Sequence, residues 1–554
     1  MTRRDQDRAV LVREAVADRR RRLPSRPLWA LLTLLCSFTP GAAQQTERTG
    51  PWPAEVLEAV SRIPVQEGGR VKPLATLARF QLMRLVGTHG CTTPRGERLG
   101  PVAWLLDCLC FPEQAQHYAV IRVDDAQVVE SLGLSIAGKR RRDRYSYAEL
   151  LPAFAKLGRQ ALRFEQTPRE QRTALESQVI RLAQVMPQLR DLLHTFDFAL
   201  EQWSIDRSPA LTKLFPGRDR VSFLEVIERF AAVRALLQQG DHEPRLLQIA
   251  SSLSESMQLG RSLRFLPPVL PGGERYLSAT EAIQDGPSGW HRTVLLQIEA
   301  ALRNRSDLAT LGQSLTELQR TLREPAAART ALRAIDGEVA FYRADLFGKA
   351  LWTFLCGFLS CCILWLRPGS RWLRGASALL ATGGAALLVA GIVTRCVLRG
   401  RPPVTTPYEV ILLVVAVGVL LLLVVELTRR TGVWTSLANP FGALGMWLAV
   451  WHETSEGTDT MQQLVAVLDT NFWLATHVTT ITLGYCAGTL AALIAHVYLL
   501  GKLFGLRRGD PTFYTELSHT IYGVLSFGLV FATVGTILGG VWANDSWGRF
   551  WGWD

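Results

Sequence analysis

Apolar and polar positions divide this chain into two halves of different character. From residue 44 to about residue 340 the sequence is polar and Arg-rich, and its apolar residues recur at the three- and four-residue spacing of amphipathic helices. From Leu346 onward, apolar runs of bilayer-spanning length recur between short polar loops. The predicted fold is mainly α: a largely helical extracytoplasmic domain followed by a polytopic membrane helix bundle. About six spans are expected, at residues 345–366, 376–394, 410–426, 435–450, 477–500 and 519–541.

The first 43 residues have a composition of their own. Arg19–Arg22 precede the short apolar run LWALLTLLCSF, and Gly41 is followed by two alanines that suit a cleavage site. A basic stretch, a short apolar stretch and small residues are typical of a secretory signal. We predict a signal peptide or uncleaved amino-terminal anchor at residues 1–43, an extracytoplasmic domain at 44–340 and a transmembrane domain at 341–554.

The basic residues between the spans indicate which side of the membrane each loop faces. If residues 44–340 are exported, the inner loops carry Arg367, Arg371, Arg374, Arg429, Arg430, Lys502, Arg507 and Arg508, whereas the outer loops carry Arg395, Arg399, Arg401 and Arg549. Cytoplasmic loops are the ones in which Lys and Arg accumulate. We therefore expect a multi-pass protein of the inner (cytoplasmic) membrane, with the amino-terminal domain and the carboxy-terminal tryptophan segment on the periplasmic side.

The net charge of +12 and the nine cysteines restrict the classes of function further. Much of the positive charge lies in the leader and the inner loops, and an exported domain would not meet nucleic acid, so no nucleic-acid partner is expected. The cysteine spacing shows no disulfide framework. Cys91, Cys108 and Cys110 would face an oxidising compartment, which leaves a disulfide or thiol-exchange role open although no CxxC motif is present.

The polar half contains few signals of chemistry. The stretch HYAVIRVDD is its one good strand candidate, Gly68 and Gly69 predict a turn, and Pro73 predicts the start of a helix. No stretch carries nucleotide-binding glycines, a zinc-ligand pattern or a nucleophile elbow. We interpret this half as a helical docking or scaffold domain.

The candidate chemistry lies at the outer ends of the last two spans. The stretch VWANDSWGRFWGWD forms a predicted flexible segment after the last span, and it contains Trp542, Trp547, Trp551, Trp553 and Asp554. The stretch NFWLATHV places Trp473 beside His477 at the outer edge of the fifth span. Imidazole is a common axial ligand of haem iron, and indoles offer a flat platform for a porphyrin. An interfacial aromatic belt and an ordinary interfacial histidine are the alternative interpretations.

Glycine spacing favours close contact between these two spans. Gly484 and Gly488 form a GxxxG pair in the fifth span, and Gly535 and Gly539 form another in the sixth. This spacing lets helix backbones approach each other. If the two helices pack together, His477 and the tryptophan segment meet at one end.

The same residues carry a family resemblance. The segment VWANDSWGRFWGWD resembles the tryptophan-rich WWD signature of the haem-handling proteins of cytochrome c biogenesis. NFWLATHVTTITLGY is similar to the CcsA/ResC branch, in the so-called system II, and RGRPPVTTPYEV resembles that branch's external Arg, Pro and Tyr-Glu loop. PVQEGGRVKPLATLARF is similar to a segment ahead of CcsA-type membrane regions in some bacterial fusions. The resemblance covers most of residues 340–554 and, more loosely, residues 51–150.

The resemblance implies a protein that binds haem b at the outer membrane face and presents it to apocytochrome c. There the haem is joined by thioether bonds to CxxCH cysteines, so the chain would be a component of a cytochrome c haem lyase. His477 would be an axial ligand of the haem iron, and the cofactor-binding set would add Trp473, Trp542, Trp547, Trp551, Trp553 and Asp554. From charge alone, we expect Arg395, Arg399 and Arg401 to neutralise the haem propionates.

The chain also departs from the family pattern. The family continues past this signature into spans with a second external histidine and an intramembrane one. This difference implies either that the chain is truncated at its carboxy terminus or that the missing portion comes from another polypeptide. A ResB-type partner protein and a thiol-reducing partner are implied as well. His452 is the best local candidate for a second axial ligand. His496 and His519, toward the inner ends of their spans, form either an inner haem site or a solvated interfacial pair.

Two functions of other classes compete with this interpretation. The chief rival is a membrane scaffold that binds no haem and assembles a respiratory or export complex through its helical domain. A solute transporter is the second rival, and it would call for broken helices or charged residues near the bilayer centre.

Overall fold

The computed structural model describes residues 47–200, 202–205, 208–238, 244–269, 273–286, 289–367, 369–463, 472–505 and 511–550. The predicted signal or anchor at residues 1–43 lies outside the described residues. Residues 46–554 form one compact unit. The fold is mainly helical, which confirms the predicted class.

Amphipathic helices build most of the amino-terminal region, residues 47–325. Their apolar faces meet in a shared core that includes Trp104, Phe111 and Tyr118, all fully buried. In chain order the helices are α1 (Ala54–Ser61), α2 (Leu74–Val86), α3 (Pro101–Cys110), α4 (Pro112–Ala115), α5 (Gln127–Ser131), α6 (Tyr147–Leu150), α7 (Phe154–Phe164), α8 (Ala174–Leu193), α9 (Asp197–Leu200), α10 (Pro209–Leu214), α11 (Phe223–Glu228), α12 (Phe230–Gln238), α13 (Pro244–Ser256), α14 (Ala279–Gln284), α15 (Gly289–Arg303) and α16 (Leu308–Leu322).

Several of these helices start at a capping box that is visible in the sequence. In each box a Ser or Thr side chain accepts a hydrogen bond from the backbone N–H three residues later, and a Glu at that position accepts one in return. The pairs are Ser146 with Glu149, Thr173 with Glu176, Ser222 with Glu225, and Ser278 with Glu281. The Ser/Thr-x-x-Glu spacing therefore fixes where the helices begin.

Short antiparallel hairpins interrupt the helices. They pair β1 (Pro64–Glu67) with β2 (Arg70–Pro73), β3 (Cys91–Thr92) with β4 (Arg98–Leu99), β5 (Ile121–Val123) with β6 (Asp143–Tyr145), and β7 (Gln202–Ser204) with β8 (Arg220–Ser222). Strand β5 lies in the predicted stretch HYAVIRVDD, which confirms that strand. The other named strands, each of two to four residues, were not among the predicted elements.

The first hairpin turns at the two glycines named from the sequence. Glu67 pairs with Arg70, and Gly68 and Gly69 between them have φ values of 58° and 79°. Only glycine adopts this region freely, so the predicted turn is confirmed. Helix α2 follows directly, with Pro73 as its N-cap residue.

Long helices form the membrane region. They are α17 (Ala326–Ala344), α18 (Leu346–Leu366), α19 (Arg371–Arg399), α20 (Pro407–Arg429), α21 (Val433–Glu456), α22 (Phe472–Leu503) and α23 (Pro511–Trp547). Among the residues that the structure describes, five helical stretches are long and apolar enough to cross a membrane, namely 326–366, 371–399, 407–429, 475–503 and 512–547. Each extends beyond the corresponding predicted span.

The predicted span at 435–450 differs from the other five. It is helical, as part of α21, but it does not reach their apolar character. Its polar side chains face neighbouring helices: Asn439 is fully buried and donates to the Ser377 carbonyl at 3.1 Å. Helix α21 packs against α18 and α20, so its buried polar side chains lie inside the bundle.

Candidate functional site

Helices α22 and α23 pack along each other at a glycine-lined contact. A methyl group on Gly484 would stand 2.9 Å from the backbone nitrogen of Ala532, and one on Gly535 would stand 2.8 Å from that of Ile481. Because both atoms belong to the backbone of the neighbouring helix, they cannot move aside as a flexible side chain could, so glycine is required at both positions. Gly488, in contrast, has no atom within 4 Å of such a methyl group. The predicted close approach is therefore present, but only one member of the first GxxxG pair makes it.

The imidazole of His477 lies at the end of this contact. Its Nδ1 is 2.6 Å from the carbonyl oxygen of Gly535, so Nδ1 carries the proton and donates it. The ring also lies against Gly539, where a methyl group would stand 2.6 Å from Cε1 and 3.1 Å from Nε2. Two glycines of α23 thus hold the ring of a histidine of α22, and Nε2 keeps its lone pair.

Trp542 and Trp547 lie on the last turns of α23, which continues to Trp547. The prediction of a flexible segment directly after the span is wrong for these two residues, because the helix continues through both of them. The Trp542 ring is parallel to His477 within 6°, with centroids 6.5 Å apart. Trp547 is tilted by 63° to Trp542 at 4.8 Å and is 55% exposed. Trp551, Trp553 and Asp554 lie outside the described residues.

Two further aromatic side chains border this end of the helix pair. Trp473 lies one turn before His477, and its ring is 5.4 Å from that of Phe472. The ring of Phe550 lies directly over Gly540. The described part of the chain therefore places His477, Trp473, Trp542 and Trp547 at the same end of this helix pair.

Arg395 is placed differently from the other two predicted arginines. It is 3% exposed near the end of α19, and its guanidinium donates to Glu409 at 3.0 Å and to the Thr460 carbonyl at 2.9 Å. Its guanidinium also lies over the ring of Tyr408, 5.2 Å from the centroid. These contacts join α19, α20 and the chain after α21, so Arg395 holds the bundle together.

Arg399 and Arg401 are less buried than Arg395. Arg399 ends α19 and donates to the Gln462 carbonyl at 3.3 Å. Arg401 follows in the turn before α20. Glu409, the buried partner of Arg395, lies in the stretch TTPYEV but was not among the predicted site residues.

The other predicted histidines do not form one cluster. His452 lies in the last turns of α21, and its buried Nδ1 contacts no hydrogen-bonding atom of the described residues. His496 and His519 are both exposed, and Nδ1 of His496 donates to the Ala492 carbonyl of its own helix at 2.7 Å. Within the described ranges, no group of three or more His, Cys, Asp or Glu side chains could hold a metal ion.

The cysteines of the amino-terminal region are buried free thiols. Cys108 and Cys110 are fully buried in α3, and Cys91 is 3% exposed. Burial raises the pKa of Cys91 to about 12, and it raises the pKa of Cys108 and Cys110 as well. A thiol that stays protonated is a poor nucleophile, so these residues do not have the environment of a thiol-exchange centre.

Comparison with known proteins shows which family the helices around this site resemble. Residues 404–554 match the family model described as Cytochrome C assembly protein. The protein named Cytochrome c biogenesis protein CcsA of Chlorella vulgaris is 28% identical over 246 residues, which cover 36% of this chain and 75% of that protein. The protein of the same name from Chlamydomonas reinhardtii is 36% identical over 101 residues, 17% of this chain and 28% of that protein.

A larger relative matches over a comparable stretch. Protein NrfI of Wolinella succinogenes is 30% identical over 230 residues, which cover 40% of this chain and 25% of that protein. The chain thus spans less than two thirds of the NrfI and Chlamydomonas proteins. Residues 404–554 thus match the cytochrome c assembly family, and the chain is similar to the CcsA-type cytochrome c biogenesis proteins.

Proposed function

We propose that this protein acts in cytochrome c biogenesis, where it binds haem b at the outer membrane face and presents it for thioether attachment to apocytochrome c. The observation that supports this function most directly is the environment of His477. The imidazole is held by α23 and lies at the same end of the helix pair as Trp542 and Trp547.

The tautomer of His477 suits ligation of iron. Metal-binding histidines commonly donate their second ring N–H to a carbonyl, which fixes the ring and raises the basicity of the ligating nitrogen. The hydrogen bond from Nδ1 to Gly535 is of this kind, and it leaves Nε2 as the ligand atom.

The ring planes define which indole could contact the haem face. An iron–histidine bond lies in the imidazole plane and is perpendicular to the porphyrin. Trp542 is within 6° of the imidazole plane, so it cannot stack flat on a porphyrin that His477 ligates. Trp547 is tilted by 63° to Trp542 and is 55% exposed, so its ring is not parallel to the imidazole and is open to a bound ligand. We infer that Trp542 supports the side of His477 and that Trp547 contacts the porphyrin, with Trp473, Trp551, Trp553 and Asp554 completing the site.

Charge near the site would come from arginines. Haem carries two propionates, and planar guanidinium groups pair well with carboxylates. Because Arg395 is already bound by Glu409 and Thr460, we assign the propionates to Arg399 and Arg401. His452 stays a candidate for the second axial position.

The bound haem would need little acid–base help from the protein. In thioether formation a cysteine S–H adds across a haem vinyl C=C, so the sulfur bonds to one carbon, the proton reaches the other, and no electrons are lost. The protein's contribution is to position the macrocycle and to exclude side reactions. We place this step in the periplasm, with residues 44–340 as an external domain for the apocytochrome, a ResB-type protein or a thiol reductant.

An absorption spectrum of the detergent-purified protein tests this function. Wild type, His477→Ala and His291→Ala would be expressed with added haem; His291 is the control because it lies on α15 of the amino-terminal region, with its Nε2 3.0 Å from the Pro267 carbonyl oxygen. We expect a Soret band in wild type and His291→Ala that shifts or disappears in His477→Ala. Equal bands in all three would exclude His477 as a ligand, and colourless protein throughout would favour the scaffold function.

A further inference from the structure

The end of the helix bundle opposite to His477 contains a cavity where α18, α19, α21, α22 and α23 meet. Its volume is about 240 Å³. Val497 lines the cavity on the same helix as His477 but near the other end of that helix, a separation of about 30 Å along the helix axis. Because this distance is close to the thickness of the hydrocarbon core, the cavity and His477 lie at opposite faces of the membrane.

Most of the cavity wall is apolar. Its described apolar side chains are Leu364, Trp365, Val433, Leu437, Val497 and Phe513. Among the described residues of the wall there is no His, Cys, Met or Tyr, the residue types that ligate haem iron. The wall therefore suits a hydrocarbon chain better than a haem.

Arg374 supplies a positive charge beside this apolar wall. It lines the cavity and is exposed, and a methyl group on Gly432 would stand 3.4 Å from its Cδ. The aliphatic stem of Arg374 thus passes along the start of α21. Long charged side chains commonly lay the stem on apolar surface and keep the charged group in water. A guanidinium has several N–H donors, so it can bind a phosphate oxygen in addition to its other contacts.

The carboxylate of Glu426 is engaged at the start of α21. It accepts hydrogen bonds from the backbone N–H groups of Gly432 at 2.7 Å and Trp434 at 3.2 Å. The positive end of the helix dipole compensates its charge. Four further exposed arginines lie at this end of the bundle, namely Arg367, Arg371, Arg429 and Arg430. The surface around the cavity therefore attracts anions.

Two tryptophans indicate that the cavity lies at the level of the lipid head groups. Trp365 lines the cavity and is 54% exposed, and Trp372 at the start of α19 is 90% exposed. Indole side chains favour the interface between hydrocarbon and water. A lipid with its head group at this level would have its phosphate near Arg374 and its hydrocarbon beside the apolar wall.

We propose that this cavity binds an anionic phospholipid, with a phosphate oxygen at Arg374 and the first part of an acyl chain against Trp365 and Leu437. Basic pockets between membrane helices are typical sites for such head groups. The cavity is smaller than a whole phospholipid, so the rest of the lipid lies along the outside of the bundle. Haem is not required for this binding, since His477 is at the opposite end of α22.

Native mass spectrometry of the full-length protein released from detergent micelles tests this site. The probes are dioleoylphosphatidylglycerol, dioleoylphosphatidylcholine and glycerol 3-phosphate, which is a head group without chains. We expect phosphatidylcholine to bind roughly fivefold more weakly than phosphatidylglycerol, because its choline cation faces a basic surface. Glycerol 3-phosphate should bind more weakly still, because it leaves the apolar wall unoccupied.

Substitutions separate the cavity from the general surface charge. Arg374→Gln should weaken the retention of phosphatidylglycerol by roughly tenfold, because the phosphate loses a charged hydrogen-bond partner. Arg371→Gln is the matched control, since it removes the same charge at the same end of the bundle but is not among the described residues of the wall. Val433→Phe should also reduce retention, because the ring takes the space of the acyl chain. Leu444→Phe introduces the same ring at an exposed position of α21 outside the cavity and should have no effect.

Thermal unfolding in the same detergent gives a second readout. Added phosphatidylglycerol should raise the unfolding midpoint of wild type and Arg371→Gln more than that of Arg374→Gln, since a ligand stabilises the form that binds it. Equal effects of the two arginine substitutions would overturn the site, as would equal binding of all three probes. If Val433→Phe does not fold, Arg374→Gln decides alone, because Arg374 is exposed and its replacement leaves the packing of the bundle intact.

Discussion

His477 and Gly539 lie so close that the imidazole occupies the space a side chain would take. A methyl group at Gly539 would stand 2.6 Å from Cε1 of His477 and 2.8 Å from Nδ1. The two residues belong to different helices and are far apart in the sequence. The position of the imidazole therefore depends on the absence of a side chain at residue 539.

Gly539→Ala should displace the His477 ring and break its hydrogen bond to Gly535. We expect the Soret band of the purified protein to weaken or shift, because the new Cβ and the imidazole cannot both keep their positions. Absorption spectroscopy at equal protein concentration measures the effect.

Gly523→Ala is the control for this substitution. Gly523 is on the same helix, and a methyl group there meets no atom within 4 Å. Both variants gain about 1 kcal/mol of helix propensity, so the control removes that contribution. An unaltered spectrum in Gly539→Ala would contradict the described position of the ring.

Single substitutions should separate the roles of the two arginines that end α19. Arg395→Gln leaves Glu409 buried at 3% exposure without its cation, so we expect a loss of about 3–5 kcal/mol of stability. Arg399→Gln removes one hydrogen bond to a carbonyl and should cost about 1 kcal/mol. Thermal unfolding in detergent compares the two variants, and equal midpoints would contradict the assignment of Arg395 to the fold.

If Arg399 binds a propionate, Arg399→Gln should lower haem retention although it unfolds close to the wild-type temperature. Retention is measured as the haem-to-protein ratio after gel filtration. A wild-type ratio in Arg399→Gln would remove this residue from the proposed site.

The buried thiols of the amino-terminal region should resist alkylation. Since burial raises the pKa of Cys91 to about 12, the thiolate is scarce at pH 8, and we expect no maleimide adduct on Cys91, Cys108 or Cys110 until the protein unfolds. Peptide mass spectrometry identifies each adduct separately. Gln313→Cys introduces an exposed thiol as the positive control. Labelling of Cys91 in folded protein would reopen the thiol-exchange function.

The loop after α21, residues 457–463, should remain in place from about pH 8 to about pH 5. Burial alone would raise the pKa of Asp459, but Arg70 and Lys72 hold it well below its ordinary value. A lowered carboxyl pKa contributes stability above the pKa of the unfolded state, about 3.9, and that stability is lost as the pH falls through the folded pKa.

Hydrogen exchange of residues 457–463, corrected for intrinsic rates, measures this pH range. The carboxylates of Glu67 and Glu338 also contact Lys72 and Arg70. Loss of protection near pH 6 would show that the pKa of Asp459 is raised and would contradict its lowered value.

The spacing of apolar residues and the conformational freedom of glycine predicted much of the fold, because each determines structure within a short stretch of the chain. The apolar runs located the membrane helices, and Gly68 and Gly69 located the first turn. The predicted ends of the helices were less accurate. Trp542 and Trp547 remain in α23, because no proline interrupts this helix after Pro511 and because Gly548, with φ of 70°, ends it.

The candidate site was predicted in part. His477 and the tryptophans stood out because of their residue types, but the orientation of Trp542 depends on helix packing, which no sequence pattern expresses. The ion pairs of Asp459 with Arg70 and Lys72 join residues almost four hundred positions apart. Neither partner is unusual in its local sequence, so only the folded chain brings them together.

The two carboxylates that bind Arg70 limit how this protein can be recombined with its relatives. Glu338 and Asp459 belong to the membrane region, whereas their shared cation belongs to a hairpin near the start of the described chain. A hybrid that exchanged only one of these parts would bury unmatched charge. Functional chimeras should therefore inherit residues 64–73, Glu338 and residues 457–463 from the same parent, so these segments, distant in the sequence, are exchangeable only as one unit.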